Sequence, residues 1–182
     1  MGGLATRTIG RVGRMPETSS AARPYHRVTI FNKTIIEGSA DVAWRHLTDW
    51  GRSKAKPPAS DSKSAIGITA ITLEGGENDL PRTRVLHFAD RPELRETLLS
   101  QDDEARLLIY NIEGIGPHGL RNYLATTEID ALAGNQFLIN ITARFDVPPD
   151  GDVLAAKTFI DTAHHIVFSG VAYQCSSSDP VT

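Results

Sequence analysis

Between residues 83 and 147 the chain alternates apolar and polar residues in short runs, and only one long helical pattern follows. Arg121 to Ile129 and Gln136 to Val147 flank the turn Gly134-Asn135, and each run carries a continuous apolar face. Such alternation is typical of antiparallel strands with one buried face. From Val153 to Gln174 apolar residues recur at helical spacing instead. Because the apolar face of the sheet must be covered, we expect this helix to lie across it.

The other segments complete an α+β domain. His26 to Ile36 is rich in Val, Ile, Phe and Thr, which favours a first strand. Ser39 offers an N-cap for a short helix that is predicted over Ala40 to Trp50. The predicted strands are 26–36, 65–73, 83–88, 93–98, 105–113, 121–129 and 136–147. We therefore predict a seven-stranded curved antiparallel sheet wrapped around the long C-terminal helix.

Composition separates both ends of the chain from this domain. Residues 1–25 are rich in Gly, Arg, Ser and Pro, which is typical of a disordered tail; a transit peptide is the alternative, and Met15 is an alternative start. We expect the folded domain to span residues 26–176. A short flexible tail is expected at 177–182.

The distribution of charge and the length of the apolar runs limit which partners and which cellular compartment we expect. The net charge of −3 and the scattered Lys and Arg leave no basic stripe, so nucleic acid is not an expected partner. The sequence contains no run of about 18 apolar residues, so we do not expect stable membrane insertion. Cys175 is the only cysteine and has no internal partner, which favours a reducing compartment and predicts a cytoplasmic protein. A homodimer is compatible with the sequence.

Two neighbouring strands place opposite charges on an apolar face. Arg84 shares its face with Leu86. Glu96 shares its face with Leu94. A hairpin between the strands would set Arg84 opposite Glu96, and the next strand would bring Tyr110 beside them. Three polar groups would then converge in an apolar interior, which indicates a ligand pocket.

This cluster has a structural and a functional interpretation. Buried charges are costly unless they are paired, so Arg84 and Glu96 are either a structural ion pair or an anchor for a polar ligand group. In the catalytic interpretation Glu96 removes an acidic α-proton, and Arg84 with Tyr110 stabilises the oxygen. Tyr123 is a second candidate donor. Core packing with satisfied hydroxyl groups is the alternative for both tyrosines.

Histidine, metal and nucleotide chemistry find less support in the sequence. His87 lies on the solvent face of its strand, and His118 is expected on a loop surface. His164 flanks the apolar stripe of the last helix and could reach the interior, whereas His165 points away. The sequence has no His-Glu-x-x-His motif, cysteine cluster, P-loop or Gly-x-Ser-x-Gly elbow. We expect neither a metal nor a cofactor.

The order and spacing of these elements resemble the SRPBCC superfamily. The residues that carry the resemblance are Ser39 to Trp44 with Asp49, Arg84 with Glu96 to Leu98, Asp102-Asp103, Arg106 to Ile112, Tyr123 to Thr126, and the C-terminal helix. They span about residues 28 to 174. The superfamily includes START lipid-transfer domains, Bet v 1-like proteins and polyketide cyclases or dehydrases, and the chain is most similar to the polyketide cyclase/dehydrase-like branch.

The resemblance implies a helix-grip fold with a deep apolar cavity, which binds lipids or polyketides and in some members supports cyclisation or dehydration. The expected partner is thus a hydrophobic, partly oxygenated small molecule. The alternative functions of the protein are those of a cyclase or dehydratase, or of a non-catalytic structural or partner-binding domain. Lys54 to Pro58 and Ile139 depart from the common pattern, and we expect them to alter the mouth and volume of the cavity. The expected ligand-binding residues are Arg84, Glu96, Tyr110, Tyr123, Ile139, Ile141, Phe159, Ala163 and His164, with Glu96, Arg84 and Tyr110 as catalytic candidates.

Overall fold

The computed structural model describes residues 24–50, 67–76 and 78–177. These residues form one antiparallel sheet of seven strands in the order β1-β7-β6-β5-β4-β3-β2. The strands are β1 His26–Glu37, β2 Ile68–Glu74, β3 Arg82–Phe88, β4 Leu94–Asp102, β5 Leu107–Ile112, β6 Arg121–Leu132 and β7 Gln136–Val147, and the helices are α1 Ala40–Thr48 and α2 Val153–Ser177. The predicted α+β helix-grip architecture, a curved sheet around a long C-terminal helix, is confirmed.

A bulge in β4 changes one predicted strand boundary. The sequence predicts Ser100–Asp102 as part of a polar turn, but these residues continue β4 and pair with β5. Leu99 is the extra residue, because it lies at the register shift between the paired residues Leu98 and Ser100. A bulge of this kind bends its strand and increases the local twist, which contributes to the curvature of the sheet.

α1 is shorter than predicted and ends at Thr48, so Trp50 follows the helix instead of belonging to it. Ser39 occupies the N-cap position, although its side chain makes no capping hydrogen bond. Neither α1 nor α2 is long and apolar enough to cross a membrane, and no other described helix is. The predicted tails lie outside the described residues apart from 24–25 and 177, and so does the segment 54–58.

α2 covers the concave face of the sheet with a stripe of buried residues. They are Ala156, Ile160, His164, Phe168 and Val171. The sequence pattern predicts a stripe of Ala156, Phe159, Ile160, Ala163, Val167 and Gly170. This prediction is confirmed at Ala156 and Ile160 and is wrong at the other four positions, which are only half-buried. The sequence pattern places His164 at the flank because its ring is polar. In the fold the ring is buried at the centre of the stripe, where hydrogen bonds satisfy it.

Phe137→Ala should lower the free energy of unfolding by about 3–5 kcal/mol, because this fully buried side chain would leave a cavity. Phe31 lies in the neighbouring strand β1 but is 73% exposed, so Phe31→Ala should change stability by less than about 0.5 kcal/mol. Urea denaturation of both variants measures the difference. Equal losses in the two variants would contradict the assignment of the concave face as the core.

Candidate functional site

Arg84 and Glu96 form an ion pair on the concave face. They are direct partners across β3 and β4, and Leu86 pairs with Leu94, so the predicted hairpin register is confirmed. Arg84 Nε donates to Glu96 Oε2 at 2.6 Å, and Nη2 lies 2.5 Å from the same oxygen. The two side chains are 25% and 11% exposed. The pair is therefore largely enclosed, and each charge compensates the other.

Trp50 covers the guanidinium of Arg84. Its ring centroid lies 3.9 Å from Arg84 Cζ, which is a cation–π contact, and 5.3 Å from the ring centroid of Tyr110. The residue is itself only 5% exposed. The guanidinium thus lies between a carboxylate and an indole ring, and the indole links it to the neighbouring phenol.

Tyr110 lies one step along the sheet from the ion pair. It pairs with Leu98, which is two residues from Glu96 on the same face of β4, so Tyr110 is a diagonal neighbour of the carboxylate. The ring centroid of Tyr123 lies 6.2 Å from that of Tyr110, and Thr127 is a further polar neighbour of the Tyr110 side chain. Burial, followed by the charge of Glu96, raises the pKa of Tyr110, and burial also raises the pKa of Tyr123. Both phenols therefore remain neutral hydrogen-bond donors at physiological pH.

His164 connects the tyrosines to the protein surface through Asn32 and Asp161. Tyr123 Oη lies 3.4 Å from His164 Nε2, and Asn32 Nδ2 lies 2.9 Å from His164 Nδ1. The same Asn32 nitrogen donates to Asp161 Oδ1 at 3.0 Å. Lys157 Nζ donates to Asp161 Oδ2 at 2.6 Å. Hydrogen bonds thus run from the concave face, through α2, to an exposed lysine.

These contacts fix the direction in which each hydrogen bond is donated. A carboxylate only accepts, so the Asn32 atom beside Asp161 is the amide nitrogen, and its second hydrogen goes to His164 Nδ1. Burial lowers the pKa of His164 to about 4, against the opposing charge of Asp161, so the ring is neutral and its hydrogen sits on Nε2, facing Tyr123. The hydroxyl group of Tyr123 therefore accepts from His164, and its own hydrogen is free for another acceptor.

The remaining predicted residues divide between the interior and its rim. Ile139 and Ile141 are fully buried on the concave face of β7. Phe159 and Ala163 are half-buried on α2, and the Phe159 ring lies 5.9 Å from the ring of His118. His118 is exposed on its loop, as the sequence predicts. The isoleucines therefore share the apolar face with the ion pair, whereas Phe159 and His118 mark the rim.

Sequence patterns do not single out three further residues of this cluster: Arg82, Trp50 and Asn32. The predicted strand begins at Thr83 and so omits Arg82, which is 6% exposed and lies on the same face of β3 as Arg84. Trp50 is predicted within a helix that in fact ends before it. Asn32 lies on the same face of β1 as the buried Ile30 and Ile36, and that parity is the one signal that could have found it.

A groove with a volume of about 460 Å³ lies away from this cluster, between β1 and the last turns of α2. Its lining residues are Thr34, Ile35, Ile36, Glu37, Phe168, Ser169, Ala172 and Ser176. None of the polar groups that connect Arg84 to Asp161 borders it. Within the described ranges, no group of three or more His, Cys, Asp or Glu residues could hold a metal ion. We therefore place the candidate site at the ion pair and the tyrosines.

The fold and the enclosed polar cluster are those of a helix-grip ligand-binding domain. The family model described as "Polyketide cyclase / dehydrase and lipid transport" matches residues 27–165. The match covers most of the chain, and the chain belongs to this family. No curated protein matches it.

Solved structures share the fold at low sequence identity. Truncated norcoclaurine synthase from Thalictrum flavum is 15% identical, with a TM-score of 0.65, and the match covers 88% of this chain and 99% of that one. A protein from Nitrosospira multiformis is 14% identical, with a TM-score of 0.61 over 82% of this chain and 97% of that one. A protein from Thermobifida fusca is 21% identical, with a TM-score of 0.61 over 80% and 92%. At these identities the likeness shows the fold alone.

His164 should make the stability of the protein depend on pH. Burial lowers its pKa from 6.5 to about 4, so between these pH values the unfolded chain binds a proton that the folded chain does not. The contribution of the neutral His164 ring to the free energy of unfolding is fully present above pH 6.5. It is lost as the pH falls toward about 4, by about 3 kcal/mol in total. His164→Gln should remove this loss, as measured by urea denaturation at pH 7 and pH 4.

The neighbouring His165 provides the control, because it is exposed on the same helix. His165→Gln should keep the pH dependence of the wild type. An unchanged pH dependence in His164→Gln would show that the ring is not held neutral in the fold.

Proposed function

We propose that this protein binds a hydrophobic, partly oxygenated small molecule, polyketide-like or lipid-like, between the concave face of the sheet and α2. The observation that carries the proposal is the run of polar groups from the Arg84–Glu96 pair through Tyr110 to Tyr123, within an otherwise apolar interior. An apolar interior accepts the body of such a ligand, and a few placed polar groups orient its oxygens. The family description, which names polyketides and lipid transport, supports the same class of ligand.

The packing of α2 supports a location over β3, β4 and β5. In the described part of the chain, α2 approaches β1, β7, α1 and the turn Pro117–Gly119 closely. The strands that carry Arg84, Glu96 and Tyr110 are not among those close neighbours. The ligand would therefore lie between these three strands and α2.

Tyr110 is the donor that we expect to meet a ligand oxygen. Glu96 already compensates the charge of Arg84, and Tyr123 accepts from His164 at the far end of the cluster. Tyr110 is the phenol nearer to the ion pair, so its hydroxyl group is a neutral donor that can meet an acceptor on the ligand. A ligand carbonyl or hydroxyl group within reach would supply that acceptor.

Tyr110→Phe should weaken the binding of an oxygenated ligand about fivefold, because it removes a hydrogen bond of about 1 kcal/mol and keeps the ring. Native mass spectrometry of the purified protein identifies a co-purifying ligand, and calorimetry measures its affinity for each variant. Tyr173→Phe, at a residue 38% exposed, should leave the affinity unchanged. Absence of any adduct, together with no thermal shift from a panel of polyketides and lipids, would contradict ligand binding.

A second candidate function is catalysis at the same site, as in a polyketide cyclase or dehydratase. The observation that favours it is the meeting of a carboxylate, a guanidinium and a neutral phenol in one enclosed cluster. Norcoclaurine synthase, which shares the fold, has been solved in complex with dopamine and hydroxybenzaldehyde, and an aldehyde is a carbonyl compound. Carbonyl chemistry of this kind needs a base and donors to the oxygen.

In this mechanism Glu96 takes an acidic α-proton from the ligand. The electron pair of that C–H bond forms an enolate, whose oxygen Arg84 and Tyr110 stabilise. The enolate carbon then attacks a second carbonyl carbon of the same molecule, which forms a C–C bond, and the proton passes from Glu96 to the new alkoxide. Removal of a second α-proton with departure of the hydroxyl group as water gives a ring double bond.

Glu96→Gln separates binding from catalysis, because it keeps the shape of the side chain and removes its basicity. If Glu96 is the base, turnover should fall at least about 100-fold while the ligand still binds. Product analysis by mass spectrometry with the co-purified ligand or a polyketide panel measures this. Equal turnover in the wild type and the variant would exclude Glu96 as the base.

The purely structural interpretation of the ion pair has its own test. Replacing both partners in Arg84→Leu/Glu96→Leu removes two buried charges together, which often leaves stability unchanged or improved. If the pair is part of the site, the double variant should fold and yet lose affinity for the ligand by about tenfold or more. Unchanged affinity in the folded double variant would mean that the pair is structural only.

A further inference from the structure

Within the part of the chain that the structure describes, two buried N–H groups beside the proposed ligand site have no acceptor: Arg82 Nε and Trp50 Nε1. Asn111 Oδ1 is a third buried atom without a partner, but it is an acceptor and its residue alternates with the concave-face residues of β5. Buried donors are satisfied by protein, water or ligand in the great majority of cases. Two such donors in one corner of the concave face indicate that an acceptor belongs there.

Among the described residues, Arg82 has no ion-pair partner in this corner. The residue is 6% exposed and lies opposite the fully buried Leu98. Its Nη2 donates to Thr48 O at 3.2 Å and to Gln101 Oε1 at 2.9 Å, and both acceptors are uncharged. Among the ion pairs of the described residues, none includes Arg82.

Asp103 is the carboxylate connected to Arg82 through Gln101, but it is already occupied. Its Oδ1 accepts from Trp44 Nε1 at 3.0 Å and from Gln101 Nε2 at 2.8 Å. Glu96 already pairs with Arg84, whose Nη2 lies 2.5 Å from Glu96 Oε2. A buried guanidinium that these neighbours leave uncompensated is costly.

Trp50 lies against the same backbone oxygen as Arg82. Its backbone N–H donates to Thr48 O at 2.7 Å, so this one oxygen accepts from both residues. The indole ring extends over Arg84 and contacts Tyr110, which brings its edge to the ligand site. The two residues that carry the unpartnered N–H groups, Arg82 and Trp50, thus meet at Thr48 O, and the indole ring of Trp50 extends from there to the ligand site.

We propose that Arg82 and Trp50 form an anion subsite of the ligand pocket, and that the ligand is a monocarboxylate whose oxygens accept from Arg82 Nε and Trp50 Nε1. This inference rests on the proposed function and adds the charge of the ligand to it. A carboxylate compensates the buried guanidinium and satisfies both N–H groups, whereas a ketone, an alcohol or a water molecule supplies no charge. Arg84 does not compete for the carboxylate, because Glu96 already compensates it.

Matched acids and esters test the subsite. Dodecanoic acid with methyl dodecanoate, and 2-naphthoic acid with methyl 2-naphthoate, differ in charge and little in shape, and the pairs cover a lipid-like and an aromatic body. Calorimetry at pH 7 gives the ratio of the ester Kd to the acid Kd. For at least one pair the wild type should bind the acid about tenfold or more tightly than the ester, as expected for hydrogen bonds to a charged group.

Two variants each remove one donor. Trp50→Phe keeps an aromatic ring over Arg84 but removes the N–H group together with part of the indole ring, and circular dichroism checks its fold. Arg82→Met removes the charge and keeps an apolar stem, and its fold is checked in the same way. Arg82→Met should bring the ratio close to one, whereas Trp50→Phe, which keeps the guanidinium, should lower it about fivefold, while the ester still binds both variants. Trp44→Phe is the matched control, because its N–H already has an acceptor in Asp103, and this variant should keep the wild-type ratio.

The outcomes separate this inference from the proposed function. If acid and ester bind the wild type equally, the corner holds water or nothing charged, and the subsite is overturned while ligand binding stands. An acid preference that is undiminished in either folded variant also overturns it. If neither acids nor esters bind and no ligand co-purifies, both the subsite and the proposed function fail.

Discussion

The concave face depends on one constraint, which is that polar groups enclosed under α2 must find partners there. An unpartnered charge or hydroxyl in an apolar interior costs more than a hydrogen bond contributes. The antiparallel register meets most of this requirement, because it sets Arg84 opposite Glu96 and Tyr110 one step away. A slip of one residue in β3 would turn the arginine to the outer face and leave the carboxylate alone.

The sequence predicts the register and the class of fold well, because both follow from alternation with a period of two. It predicts the helix face less well, since His164 belongs to the buried stripe only through Asn32 and Tyr123, which come from distant strands. The bulge at Leu99 has no local signature, and so the strand boundary there is missed. Arg82 is missed for a similar reason, because the pattern of β3 gives no sign that the strand starts one residue earlier.

The polar groups of the interior divide into a neutral end and a cationic end. Tyr123, His164 and Asn32 carry no net charge, since burial lowers the pKa of the histidine far enough to keep it neutral. At the other end, Arg84 and Arg82 bring two guanidinium groups and Glu96 only one carboxylate. The interior therefore has a gradient of potential, and a ligand with an anionic head and a neutral oxygen would have one orientation in it.

The sheet keeps most of its apolar core apart from the proposed binding groups. Most of its fully buried apolar side chains, such as Phe137, Ile139 and Ile30, lie on β7, β6 and β1, and α2 packs closely against β1 and β7. β3, β4 and β5 supply the ion pair and Tyr110, whereas Tyr123 lies on β6. Because α2 is supported by the first set of strands, side chains in the second set can change without removing its main contacts. The same scaffold can therefore carry different ligand chemistry, and the identity of the ligand must be sought in residues such as Arg82 and Tyr110 rather than in the apolar core.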